Sequence, residues 1–186
     1  MGMSSSKAAH DPPTCHPNRR FGIRPATGGT DRPSGPSGRW GDALQLVDRY
    51  TRGRVRSTGE VLAYLRRHGV SSSTAAHVIA ASRARGSLDD HACARLWADH
   101  WARRGYAWSA IRARLTAKGL AEDVIDAGLR RLAAEATDED RARALVASSL
   151  RRRGTRPVDV HSVARALQAR GFDEEVIARV LQGLAE

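Results

Sequence analysis

The side chains of this chain best equipped for chemistry are its arginines. Of 31 basic residues, only Lys7 and Lys118 are lysines. A guanidinium offers a planar fork of donors that grips a phosphate or a carboxylate with two bonds, so clustered arginine points to a polyanion or an acidic protein surface. The clusters recur. Arg49, Arg52, Arg54 and Arg56 form one run, followed by Arg66 and Arg67. Arg103, Arg104, Arg112, Arg114 and Lys118 follow, with Tyr106 among them, and then Arg151, Arg152, Arg153 and Arg156. Complementing a helix dipole accounts for one or two cations per helix end, not three or four. All of these except Arg156 are taken as candidate binding residues.

Catalytic arrangements fail by spacing. The histidines His10, His16, His68, His77, His91, His100 and His161 form no HExxH or other metal-spaced set. Asp89 and Asp90 adjoin His91, but neighbours at a helix start point apart, and capping the helix is the expected role of one of the two acids. No GxSxG elbow, Walker loop or GxGxxG is present. Cys15 and Cys93 are too far apart in sequence and too few for a disulfide framework or a zinc site. The expectation is a protein that is no enzyme and has no cofactor or metal. The N-terminus lacks the apolar core of a signal peptide, and no apolar run reaches membrane-spanning length. A soluble, cytoplasmic monomer is expected.

Charge is graded along the chain. The formal total is +11. Residues 41–86 carry 8 basic and 3 acidic side chains, 87–134 carry 8 and 6, and 135–186 carry 9 and 9. A basic first half and a balanced last unit suggest different contacts along one body, and any nucleic-acid binding would weaken steeply with salt. Among the aromatics, Trp97 and Trp101 are an i, i+4 pair that belongs in a core. Tyr106 and Trp108 sit in a basic turn, where packing between units is the simpler use and base stacking the alternative.

These residues must be positioned by helices. Residues 1–39 are rich in Pro, Gly, Ser and Thr and read as a disordered basic tail. From Gly41 onward apolar residues recur at three and four positions, with no sustained alternation. Nine helices are expected near 41–52, 57–68, 72–85, 90–104, 108–118, 122–134, 138–153, 159–170 and 173–184. Gly53, Gly69, Gly86, Gly105, Gly119, Gly154 and Gly171 follow periodic runs as terminating glycines do. Ser57-x-x-Glu60 and Thr137-x-x-Asp140 have the spacing of capping boxes.

The chain also repeats itself. "LTAKGLAEDVI" (115–125) returns as "LQARGFDEEVI" (167–177), and the terminating glycines recur in two series, 53/105/154 and 69/119/171. That period of roughly fifty residues implies an all-α array of three three-helix units, over 40–86, 87–134 and 135–186. Units so small would pack end to end into an elongated, curved body. The repeated segment itself reads as a helix–turn–helix corner with a structural purpose.

Three segments carry a family resemblance. "RSTGEVLAYLRRHGV" (56–70) resembles the R-S-x-x-E-L…K-G pattern near the start of RecX-type regulatory proteins. "GSLDDHACARLWADHWARRGYAWSAIRARLTAKGL" (86–120) resembles their central signature, with Gly86, Leu88, Asp89, Asp90, Ala94, Arg104, Gly105, Tyr106, Ile111, Leu115, Lys118, Gly119 and Leu120 in register. Cys93 departs from a usual aromatic, and Ala107-Trp108 from a common Gly-Pro. The resemblance, over about 43–184, implies a modulator of the RecA recombinase. Such a protein would lie in the groove of the RecA–single-stranded DNA filament and inhibit its ATPase, coprotease and recombination activities. It would also bind single-stranded and possibly double-stranded DNA, and the fifteen candidates would then face filament or DNA. The alternatives are a DNA-binding helical array independent of RecA, and a structural adaptor.

Overall fold

The computed structural model describes residues 36–153 and 159–184. Among them lie nine α-helices and no strand: α1 (Pro36–Thr51), α2 (Thr58–Arg67), α3 (Ser72–Ala84), α4 (Asp90–Arg103), α5 (Trp108–Ala117), α6 (Glu122–Glu135), α7 (Asp138–Arg153), α8 (Val160–Gln168) and α9 (Glu174–Gln182). The order and type match the periodic pattern. One boundary moves: α1 starts at Pro36, inside the segment expected to be tail. Proline is tolerated in a first helical turn because that turn's N–H groups have no intrahelical acceptor. The rest of the expected tail, residues 1–35, lies outside the described residues, as does Gly154.

Local chemistry accounts for most helix ends. Ser57 caps α2 in a reciprocal box, its Oγ accepting from the Glu60 N–H (3.0 Å) while the Ser57 N–H donates to Glu60 Oε2 (3.0 Å). Thr137 and Asp140 do the same at α7, with both backbone-to-side-chain bonds at 3.1 Å. Asp89 caps α4. At Gly119 the backbone is left-handed (φ 71°), and Leu120 folds back, its N–H donating to the Leu115 carbonyl.

Three apolar clusters follow one another along the chain. The first gathers Ala43, Val47, Val61, Leu65, Ala75 and Val78 from α1–α3. The second gathers Ala94, Trp97, Ile111, Leu115, Ile125 and Leu129 from α4–α6, with Trp101 packed on it. The third holds Val146, Leu167, Phe172, Ile177 and Val180 from α7–α9. Fully burying a Leu, Ile or Val side chain contributes about 1.5–3 kcal/mol, so a handful per unit is a small core. The units must therefore support one another.

They do so through two equivalent joints. In the first, the start of α2 seats on the α5–α6 corner. Ser57 Oγ donates to the Lys118 carbonyl, and the Thr58 N–H donates to Asp90 Oδ1 (2.7 Å) at the start of α4. A Cβ on Gly59 would lie 2.6 Å from the Gly119 Cα, so both positions require glycine. In the second, the start of α5 seats on the α8–α9 corner. The Ala107 N–H donates to the Arg170 carbonyl (3.0 Å), the Trp108 N–H to Asp138 Oδ1 (3.0 Å), and Ser109 Oγ to the Gly171 carbonyl (3.0 Å). The repeated corner is thus both a turn within a unit and the socket between units.

Candidate nucleic-acid interface

The first unit gathers six of the candidate arginines around a column of rings. Gly53 ends α1 in a left-handed turn (φ 70°), and the chain reverses into α2. Tyr50 on α1 then stacks on Tyr64 of α2, their centroids 4.1 Å apart and their planes within 6°. His68, one turn along α2, lies 4.1 Å from Tyr64 at a 41° tilt. The Arg56 guanidinium covers the other side of Tyr50 at 4.6 Å. The order is Arg56, Tyr50, Tyr64, His68, a column of flat groups whose tyrosine faces are covered and whose exposed end is His68.

A shallow cleft of about 310 Å³ runs beside this column, lined by Arg49, Tyr50, Arg52, Arg54, Arg56 and Tyr64. A second groove, of about 480 Å³, passes Tyr50, Ala63, Arg66 and Arg67 and reaches Lys118 and Gly119 at the joint. Arg49, Arg52, Arg54, Arg66 and Arg67 are exposed. Arg56 is mostly covered and pairs with Glu60 at 3.5 Å, so it braces the column rather than facing solvent. Sequence reasoning found these arginines but passed over Tyr50, Tyr64 and His68. The Tyr64–His68 spacing of four was a visible signal, whereas the Tyr50 contact depends on the fold.

The second unit uses its cations differently. Lys118 Nζ lies 2.9 Å from Glu60 of the first unit and 3.8 Å from the Trp97 ring centroid, with its side chain 15% exposed. Arg112 bonds both Glu122 and Asp126 of α6. The hydrogen bond to Asp126 comes first among the causes that raise its pKa above the ordinary arginine value. Arg114 lies over the Tyr106 ring at 4.0 Å and donates to the Ala110 carbonyl, which leaves Tyr106 half-buried against the core. Arg103 and Arg104 are exposed. Burial, and after it the charges of Arg104 and Arg103, hold His100 below its ordinary value near 6.5.

In the third unit Arg151 and Arg152 are exposed at the end of α7, while the Arg153 side chain and Arg156 lie outside the described residues. Arg141 has turned inward: it covers the Trp108 ring at 3.8 Å and donates to the Tyr106 carbonyl. Burial lowers its pKa and raises that of Asp138, its neighbour in the second joint. Trp108 Nε1 donates to the Ala136 carbonyl (3.3 Å), so this tryptophan serves packing between units.

Among the described residues, no group of three or more His, Cys, Asp or Glu side chains could hold a metal ion. Cys93 is buried, and desolvation is the main cause that pushes its thiol up to about 12, so it is a core filler with no thiolate at neutral pH. None of the described helices is long and apolar enough to cross a membrane.

Comparison with known proteins agrees with this architecture. Residues 89–129 match the family model of the second three-helix domain of RecX. The "Regulatory protein RecX" of Lactobacillus delbrueckii subsp. bulgaricus is 34% identical over 149 residues, covering 76% of this chain and 53% of the relative. The chain thus spans about half the length of that relative. The crystal structure of RecX from Lactobacillus salivarius superposes with a TM-score of 0.64 at 16% identity, over 80% of this chain and 98% of the other. A crystal structure of regulatory protein RecX gives 0.62 at 20% identity, over 77% and 73%. At those identities the two structures establish the shared fold.

Proposed function

We propose that this chain is a member of the RecX family of regulatory proteins, which it resembles in sequence and fold, and that it binds the RecA–single-stranded DNA filament and restrains its activity without chemistry of its own. The observation that carries this reading is the division of labour among the cations. Arg49, Arg52, Arg66 and Arg67 are exposed around the tyrosine column, whereas Lys118, Arg112 and Arg141 are bound to other parts of the molecule. The first unit therefore presents the anion-facing surface, and the second and third units extend the contact along the filament.

Guanidinium groups on this rim would meet strand phosphates or recombinase carboxylates, both of which accept two parallel bonds. The experiment is the RecA ATPase on single-stranded DNA with and without this protein. Hydrolysis should fall as the protein approaches the recombinase protomer concentration. Unchanged hydrolysis, together with no protein bound to the filament, would overturn the reading.

A second reading has its own observation. The exposed His68 ring at the end of the Tyr50–Tyr64 stack offers a face to an unpaired base. A DNA-binding array acting alone would hold bare single strands in a salt-sensitive way and leave the recombinase unaffected. The same assay, paired with strand binding in the absence of RecA, separates the two.

A further inference from the structure

We propose that the third unit carries a docking groove for an acidic segment of a partner protein. One apolar side chain of that segment would enter between α7 and α8, with its flanking carboxylates on Arg152 and Arg170. The comparison of the three units shows where the groove comes from. Ala43, Ala94 and Ala142 are buried at equivalent places on the first helix of each unit, and Leu65, Leu115 and Leu167 on the second. Two turns beyond each alanine stand Tyr50, Trp101 and Ser149, and just before each leucine stand Tyr64, Arg114 and Ala166.

In the first unit Tyr50 and Tyr64 meet across the gap between its first two helices, their rings stacked at 4.1 Å. In the second the same two places hold Trp101, packed on Trp97 at 5.0 Å, and Arg114, whose guanidinium covers Tyr106. In the third a serine and an alanine stand there, and neither can reach across. Accordingly α1 packs along α2 and α4 along α5, whereas α7 and α8 are held chiefly by the α9 they share. What is left is a groove of about 100 Å³, lined by Ser149 and Ala166 and walled by Leu145, Leu150, Val163 and Leu167. Ala166 is exposed, and Leu150 and Val163 are half-buried, so the groove opens to solvent. An apolar cavity of roughly 150 Å³ takes a benzene ring. This smaller, open groove suits one leucine or phenylalanine side chain.

The rim decides what kind of segment fits. Arg152 and Arg170 line the groove, and none of the lining residues is acidic. Arg152 is exposed. Arg170 folds back along α8 and donates to the Ala166 carbonyl (3.0 Å), which spends one N–H and leaves the rest of the fork at the groove's edge. Guanidinium groups hold carboxylates by two parallel bonds, so a leucine or phenylalanine flanked by Asp or Glu matches both wall and rim. The N-terminal segment of the same chain does not match: Phe21 and Ile23 stand among Arg19, Arg20 and Arg24, and like charges would meet at the rim. The phosphates of a nucleic-acid strand would use the arginines but leave the aliphatic wall bare. Such docking goes beyond the filament reading and does not depend on it, since neither recombinase nor DNA takes part.

The test uses the full chain and a short fluorescein-labelled peptide with one phenylalanine between glutamates. Two control peptides carry alanine for the phenylalanine, or lysines for the glutamates. Binding is read by anisotropy and mapped by NMR of the leucine and valine methyl groups. The first peptide should bind and shift the Leu145, Leu150 and Val163 methyls. The alanine peptide should bind at least about tenfold more weakly, and the lysine peptide not at all. Ala166→Trp should abolish binding by filling the groove, as Tyr64 fills the gap in the first unit. Should circular dichroism show that this variant has lost helix, Arg152→Glu replaces it, because that side chain is exposed. It should weaken the glutamate peptide and admit the lysine peptide. Absent binding, equal binding of the phenylalanine and alanine peptides, or shifts confined to other methyls would overturn the proposal. So would groove methyls that respond to an oligothymidylate and not to the peptide. Movement of those methyls in Phe21→Ala or Trp40→Ala without peptide would also overturn it, since the chain's own tail or a second copy would then fill the groove.

Discussion

The first and second units are built alike and spend their cations in opposite ways. Both have a corner glycine near φ +70°, and both carry several basic residues around it. In the second unit the corner holds the start of α2, and Lys118 beside it is fixed by Glu60 and Trp97. In the first unit the corner stands open, with exposed Arg66 and Arg67 beside it. A basic residue is therefore no evidence of a binding face until its partners within the molecule are known. The difference is also why the first unit, with the largest surplus of positive charge, is the one proposed to meet an anion.

The sharpest way to break this comparison is at the two glycines. Gly119→Ala combines a strained φ with a Cβ 2.9 Å from the Gly59 Cα, backbone against backbone, and should cost about 3 kcal/mol or more. Gly69→Ala bears only the strained φ and should cost about 1 kcal/mol. Urea unfolding of the two variants measures the gap, and equal destabilisation would show that the joint does not depend on close approach.

Next in size is the rim itself. Replacing Arg49, Arg52, Arg66 and Arg67 together by alanine should weaken binding to single-stranded DNA or the filament by on the order of 100-fold at low salt. The log–log salt slope on single strands should become shallower by about 0.7 for each phosphate left without its arginine, with helical circular dichroism retained. A slope that does not change would mean that these side chains face solvent in the complex.

Lys118→Ala tests the opposite use of a cation. Its removal leaves partly buried Glu60 with Arg56 as its remaining charged partner and bares the face of Trp97, for a drop of about 1–2 kcal/mol in stability. Affinity measured on the folded protein should not move. Arg112→Ala should do less, within about 0.5 kcal/mol, because its pairs with Glu122 and Asp126 are exposed to solvent.

The smallest effect concerns pH. His100 is held below its ordinary value, chiefly by burial, so the unfolded chain takes up a proton before the folded one does. Its contribution to stability is complete above about pH 6.5 and is lost as the pH falls toward its folded value. Removing Arg103 and Arg104 should move the His100 resonance titration part of the way up and leave it still depressed. A return to the ordinary value would assign the shift to charge instead of burial.

How much was legible depends on distance along the chain. The capping boxes at Ser57 and Thr137, the terminating glycines and the i, i+4 pair Trp97–Trp101 join residues within one or two helical turns, and their spacing was enough to place them. The Tyr50–Tyr64 stack joins two helices, and nothing in the spacing of 14 residues announces it. Asp90 was equally opaque. It was a candidate cap for its own helix, and it caps α2 of the neighbouring unit instead. Trp108 donates its backbone N–H to Asp138 at the second joint, a contact to a residue 30 positions away that the sequence around it does not announce.

The sequence by itself determined the helices, most of their ends, the threefold repeat and the surplus of arginine in the first unit, because each depends on local geometry or simple composition. Only the tertiary structure decided which cations are engaged, since Lys118 and Glu60 lie 58 residues apart and Arg141 bonds the Tyr106 carbonyl from 35 residues away. It also decided that the repeated corner is a socket. That role arises when a second-helix start from one unit meets a glycine of the next, and such close approach exists only in the folded chain.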